Sequence, residues 1–196
     1  MSSSDSDSDD ERIFNITPNM VIDGKIDHVD IGKAIYVVCS GCTELIELPN
    51  WPNVKIVNCN KCTGLTELPN WPKVQEVFCV DCVGLTKLPN WPKVNLVYCS
   101  NCTGLIELPR WERVHQVCCS DCTGLTELPN WITVRYVYCN LCTSLTKLPD
   151  LPNAHHVNLS NCISLHYPSL SILLQTDFLF EDLKEECIIW SILWRV

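Results

Sequence analysis

Thr63-Gly-Leu-Thr-Glu-Leu-Pro-Asn-Trp-Pro72 returns twenty residues later as Val83-Gly-Leu-Thr-Lys-Leu-Pro-Asn-Trp-Pro92, then twice more, with small changes, from Thr103 and Thr123. No insertion interrupts the 20-residue spacing, so the chain can be laid out in columns. One column is Val37, Val57, Val77, Val97, Val117, Val137 and Val157. Two residues on stand Cys39, Cys59, Cys79, Cys99, Cys119, Cys139 and then Leu159. Three further on stand Cys42, Cys62, Cys82, Cys102, Cys122, Cys142 and Cys162. Leucines follow from Leu45 to Leu165 and from Leu48 to Leu148, each of the second set directly before a proline. Self-similarity at a fixed short period is the mark of a solenoid.

The columns also give the local structure. Val-x-Cys alternates apolar with variable residues, the period-two pattern of a strand buried on one face. Leu-Pro-Asn-Trp-Pro holds two prolines in a stretch too short for a helix to survive them, which predicts an extended or polyproline-like return path. A single unit buries too few side chains to offset the ordering of its backbone, whereas stacked units share a continuous core.

With these columns in place the chain resembles the leucine-rich repeats, whose L-x-x-L-x-L-x-x-N/C-x-L pattern is matched at four anchor positions by Val74, Val77, Cys79 and Cys82. The Leu-Pro-x-x-Pro continuation resembles the short 20-residue repeats of bacterial effectors, and Cys-x-x-Leu-x-x-Leu-Pro resembles repeats of plant immune receptors. Taken whole, the chain resembles leucine-rich-repeat proteins of giant amoeba-infecting viruses. The likeness covers about residues 30–168 and departs from the family in placing Cys where Leu is usual. The next family leucine is also shifted by one place, to Leu85. The resemblance implies an α/β-type, right-handed horseshoe with a parallel sheet of about seven short strands on its concave face. It also implies a protein-interaction role and, as one alternative, a substrate-recognition adaptor of a larger complex such as a ubiquitin ligase. The residues after 168 are too few for a ligase domain of their own.

Charge narrows the function classes. The formal net charge is −9, and residues 1–12 contribute −4 of it through Asp5, Asp7, Asp9, Asp10 and Glu11 against Arg12. An acidic body lacks the clustered Lys and Arg that nucleic acid demands, so nucleic-acid binding is not expected. The opening Ser/Asp run has neither the basic nor the apolar region of a secretory signal, and it reads as an acidic disordered tail. Each of Ser2, Ser4, Ser6 and Ser8 has an acidic residue three positions later, as acidophilic kinases favour. No run of eighteen apolar residues predicts a membrane span. The expected location is cytoplasmic, host cytoplasm if the protein is viral, and not secreted.

Fifteen cysteines open a rival reading. Six Cys-x-x-Cys pairs, Cys39/Cys42, Cys59/Cys62, Cys79/Cys82, Cys99/Cys102, Cys119/Cys122 and Cys139/Cys142, follow one another at a spacing seen in zinc sites. Four thiolates from neighbouring pairs would make a structural zinc centre. Against this, Leu159 replaces the first Cys of the last unit while the motif around it persists. A core position accepts leucine; a ligand position does not. Free cysteine is commonly a small buried apolar residue, so the main expectation is a cysteine-lined core with no metal and no cofactor. Cys118 lies outside both columns and is expected to point out of the sheet as an exposed thiol.

Residues flanking the strand valines should face away from the core. The candidate partner-binding set is Tyr36, Val38, Asn58, Glu76, Phe78, Leu96, Tyr98, Gln116, Tyr136, Tyr138, His156 and Asn158, with Ile56 and Cys118 completing the two rows. Exposed aromatics of this kind anchor protein interfaces. Trp51, Trp71, Trp91, Trp111 and Trp131 form a further ladder, read as core because Leu151 takes the sixth place. His115, His155, His156 and His166 read as scattered surface residues. No phosphate loop, His-Glu-x-x-His or acid–base pair is present, so no catalysis is expected.

The expected organisation is therefore an acidic tail (1–12), a cap or irregular first repeat (13–33), the solenoid (34–168) and a C-terminal cap (169–196). From about Asp177 the residues Leu179, Leu183, Cys187, Trp190 and Trp194 recur at helical spacing, which predicts that the cap is a helix.

Overall fold

The computed structural model describes residues 13–26 and 31–165. The chain enters through strand β1 (Ile13–Asn15), a 3₁₀ turn (Pro18–Met20) and a small antiparallel hairpin of β2 (Val21–Ile22) and β3 (Lys25–Ile26). Seven three-residue strands follow, one per repeat: β4 (Tyr36–Val38), β5 (Ile56–Asn58), β6 (Glu76–Phe78), β7 (Leu96–Tyr98), β8 (Gln116–Cys118), β9 (Tyr136–Tyr138) and β10 (His156–Asn158). They form one parallel sheet in chain order with β1 at its edge. Each residue pairs with the one twenty later, as Val57 with Val77 and Val77 with Val97. The sequence period is thus the sheet register.

Two expectations change. The seven repeat strands are joined by an eighth, because β1 pairs with β4 and sets Phe14 opposite Val37. That step is 23 residues rather than 20, and the hairpin inside it hides the strand from column alignment. The α/β label is also not met among the described residues, where the sole helical element is the 3₁₀ turn. The return path carries one or two prolines and makes a tight three-residue turn at each of Trp51, Trp71, Trp91, Trp111 and Trp131, as where the Trp71 N–H donates to the Pro69 carbonyl at 3.0 Å. The expected C-terminal helix lies outside the described residues.

The core repeats with the sequence. Each strand buries its central valine, from Val37 to Val157, and shows its flanking residues to the other face. Behind the valines lie the two cysteine columns, then the leucines, then the tryptophans, all in one continuous cluster. Gly64, Gly84, Gly104 and Gly124 sit where the return paths stack, and a Cβ at Gly84 would lie 2.7 Å from the carbonyls of Thr63 and Leu65.

Between the two cysteines of each unit the backbone turns through the left-handed region. Gly41 does so at the first turn, but Lys61, Asp81, Asn101, Asp121, Leu141 and Asn161 do so at the others, with φ from 57° to 62°. The turn aims each N–H at the next unit, as Leu141 does toward Ser160 O at 2.8 Å. Asn and Asp tolerate this conformation, whereas a side chain such as leucine is strained in it by about 1–2 kcal/mol. Leu141 is 37% exposed and loses little contact on replacement. Leu141→Asn is therefore expected to raise stability by about 0.5–1 kcal/mol, read as an upward shift of the thermal midpoint. An unchanged or lower midpoint would show that the turn is unstrained.

Candidate functional site

The twelve candidate residues fall where the period places them. Tyr36 and Val38 are on β4, Asn58 on β5, Glu76 and Phe78 on β6, Leu96 and Tyr98 on β7, and Gln116 on β8. Tyr136 and Tyr138 lie on β9, His156 and Asn158 on β10. All flank a buried valine, so all stand on the sheet face opposite the core. Most are half-buried by their neighbours, and Tyr136 is the most open aromatic at 42%.

The register brings the aromatics together. Phe78 stacks on Tyr98 with centroids 5.2 Å apart, and Tyr138 meets His156 at 5.1 Å. Gln116 braces the first pair, its Nε2 donating to the Tyr98 hydroxyl at 2.7 Å and lying 3.7 Å from the Cys118 Sγ. The middle of the face is therefore apolar rings braced by one amide. Asn58 and Asn158 do something different at its two ends. The Asn58 Oδ1 accepts from Ser40 Oγ at 2.6 Å, and the Asn158 Oδ1 accepts from Ser160 Oγ at 2.6 Å and Ser160 N–H at 3.0 Å. The Asn158 side chain is committed to the turn that follows it, and that of Asn58 to the turns of its own and the preceding unit.

Cys118 is a correction. It lies on the outer face but is only 8% exposed, because Tyr98 and Tyr138 occupy the paired positions on both sides. Burial pushes its thiol up, against weaker opposing hydrogen bonds from Gln116 and Tyr98. It is a covered neutral thiol rather than an accessible one. The histidine reading also changes, since His115 and His155 share one column with Arg135 between them, a signal carried by their 40-residue separation.

The tryptophans close the opposite side of the solenoid. Successive rings lie 5.9–6.1 Å apart and within 8° of parallel. Each of Trp71, Trp91, Trp111 and Trp131 donates its Nε1–H to the carbonyl of the proline 22 residues earlier, at 2.9–3.0 Å. Buried faces and satisfied donors make this ladder a wall of the core. The second cysteine column is tied in a similar way. The Sγ of Cys62, Cys82, Cys102, Cys122, Cys142 and Cys162 each donates to the carbonyl of the first-column cysteine one unit earlier, at 2.9–3.0 Å.

The crystal structure of a leucine-rich-repeat protein of T. pallidum is similar to this chain with a TM-score of 0.56 and 18% sequence identity, covering 81% of this chain and 86% of that one. The fold is a leucine-rich-repeat solenoid. No family model matches the sequence, and no curated protein does.

Within this leucine-rich-repeat solenoid the two cysteine columns differ, since hydrogen bonds to first-column cysteines lower the thiols of Cys62, Cys122 and Cys162 while several first-column thiols are raised. A hydrogen bond with Cys102 and then burial push the Cys79 thiol well above the ordinary cysteine range, and Cys59 and Cys99 are raised in the same way. A nucleophile or a zinc ligand must be a thiolate. Among the described residues no group of three or more His, Cys, Asp or Glu side chains is arranged to hold a metal ion. No helix of the described residues is long and apolar enough to cross a membrane.

Proposed function

We propose that this leucine-rich-repeat solenoid is a non-catalytic protein-interaction module that takes its partner on the concave sheet face. The observation that carries the reading is the ring cluster of Phe78, Tyr98, Tyr136 and Tyr138, which stands on the face away from the core. Rigid aromatic rings bury large area on binding at low entropic cost, which is why they anchor interfaces. Solenoid folds offer extended surfaces of this kind, and fold alone does not name the partner. The short Leu-Pro-x-x-Pro unit and the likeness to proteins of giant amoeba-infecting viruses belong to the same proposal, with host cytoplasm as its setting.

The test separates the face from the fold. A photo-crosslinking residue at Phe78 or Tyr136 is expected to trap one discrete partner, whereas one at Ile106, exposed at 63% and away from the strands, is expected to trap none. The double substitution of Tyr98→Ala with Tyr138→Ala is expected to keep the melting midpoint within a few degrees and to weaken capture about tenfold or more, since anchor residues typically cost about 2 kcal/mol or more. Collapse of the fold would make the rings structural. Intact folding with undiminished capture would place the partner elsewhere.

A further inference from the structure

The residues directly before β8, β9 and β10 are His115, Arg135 and His155. Backbone pairing stacks them: the Arg135 N–H donates to the His115 carbonyl and the His155 N–H to the Arg135 carbonyl, both at 2.8 Å. Parallel pairing sets such neighbours about 4.8 Å apart. Three side chains able to carry positive charge therefore stand in one row at the strand-start edge. The same column in earlier units holds Ile35, Lys55, Gln75 and Asn95, so the concentration is confined to these three. All three are exposed, and the Lys25–Glu47 and Lys87–Glu67 ion pairs do not involve Arg135.

The row lines an open pocket of about 330 Å³ together with Ile132, Thr133 and Asn153. Its floor is held in place. The Thr133 Oγ1 donates to the Val114 carbonyl at 2.8 Å, and the Asn153 Nδ2 donates to the Ile132 carbonyl at 2.7 Å. Ile132, 56% exposed, gives it an apolar wall, and Tyr136, outside the lining, stacks on His155 at 6.4 Å. A planar guanidinium pairs two phosphate oxygens at once, and an imidazole N–H on either side can meet a third. A bare ion would leave the apolar wall and much of the volume unfilled.

We propose that this pocket binds a phosphate monoester with an apolar body, the phosphate on the His115–Arg135–His155 row and the body against Ile132. The site stands apart from the proposed partner face except where Tyr136 stacks on His155, and it does not depend on that reading. The row explains why the three residues coincide in one column, and the wall explains the preference for an ester.

The test uses the full chain and amide NMR shifts. Phenyl phosphate is expected to give saturable shifts at Ile132, Arg135 and His155, and to bind more tightly than inorganic phosphate; phenol is expected to give none. Arg135→Ala should weaken phenyl phosphate about tenfold or more, the usual consequence of losing a charge-assisted hydrogen bond, while the melting midpoint stays in place. Arg135→Lys should weaken it less. A phosphotyrosyl tripeptide that binds tighter than phenyl phosphate would support the pocket as a reader of phosphorylated protein, and equal binding would support it as a site for free monoesters. Absence of saturable shifts, equal binding of inorganic phosphate, or shifts unaltered in Arg135→Ala would overturn the proposal.

Discussion

Trp91→Ala is expected to produce the largest loss of stability of any single substitution in the solenoid. The ring is 1% exposed and lies between Trp71 and Trp111 at 6.1 Å from each. Its removal opens a cavity in the middle of the array, which for a buried tryptophan costs about 3–5 kcal/mol. It also removes one of the two donors to the Pro69 carbonyl, at 2.9 Å, leaving the Trp71 N–H at 3.0 Å, a smaller further loss. Domains of ordinary stability hold only about 5–15 kcal/mol in total, so urea unfolding should shift to far lower denaturant. The sixth unit supplies a control. Leu151 fills the tryptophan slot there and is 2% exposed, so Trp91→Leu should retain the fold and lose less than the alanine variant. If alanine costs under about 1 kcal/mol, the ladder is ornament on a core made by the leucines and valines.

The second large effect is expected at Cys102, and its pattern separates two meanings of the cysteines. Its Sγ donates to the Cys79 carbonyl at 3.0 Å and is fully buried. Cys102→Ala removes that donor, leaves the Cys79 carbonyl only the longer bond from the Cys82 N–H at 3.3 Å, and should cost about 1 kcal/mol or more. Cys102→Ser keeps a hydroxyl donor at nearly the same place and should cost less. A zinc centre predicts another outcome, because alanine and serine would both remove a ligand and both unfold the repeat. Thermal melts of the two variants, with and without a chelator on the parent chain, decide the matter. A serine variant firmer than alanine and a melt indifferent to the chelator would support the carbonyl-binding thiol. Equal collapse and a chelator-sensitive fold would require the two columns to be reassigned as metal ligands.

Much of the architecture was legible in the sequence because a solenoid translates period directly into register. Once Val57, Val77 and Val97 align in a column, parallel pairing at one strand per unit follows, and with it the face on which Phe78 and Tyr98 stand. Leu159 and Leu151 were the informative exceptions, since each marks a column as core by what it tolerates. Strand β1 was not legible, because its pairing with β4 steps by 23 residues across a hairpin.

The candidate site was legible in its membership and not in its detail. Alternation told which side chains face outward, but exposure on that face depends on the sizes of neighbours on adjacent strands. Cys118 is covered because the residues paired on either side are both tyrosines. Asn58 and Asn158 share a row with Phe78 and Tyr98, yet a serine two residues after Asn158 and one twenty residues before Asn60 turn their amides to the turns.

The sequence by itself determined the repeat, the strand register, the buried columns and the outward rows, because each is a consequence of a fixed spacing along one chain. Only the tertiary structure decided which outward residues touch, which donors are already used and where a concavity opens. The His115–Arg135–His155 row meets Ile132 and Asn153 in one pocket through the stacking of whole units, a contact between residues that no local pattern relates.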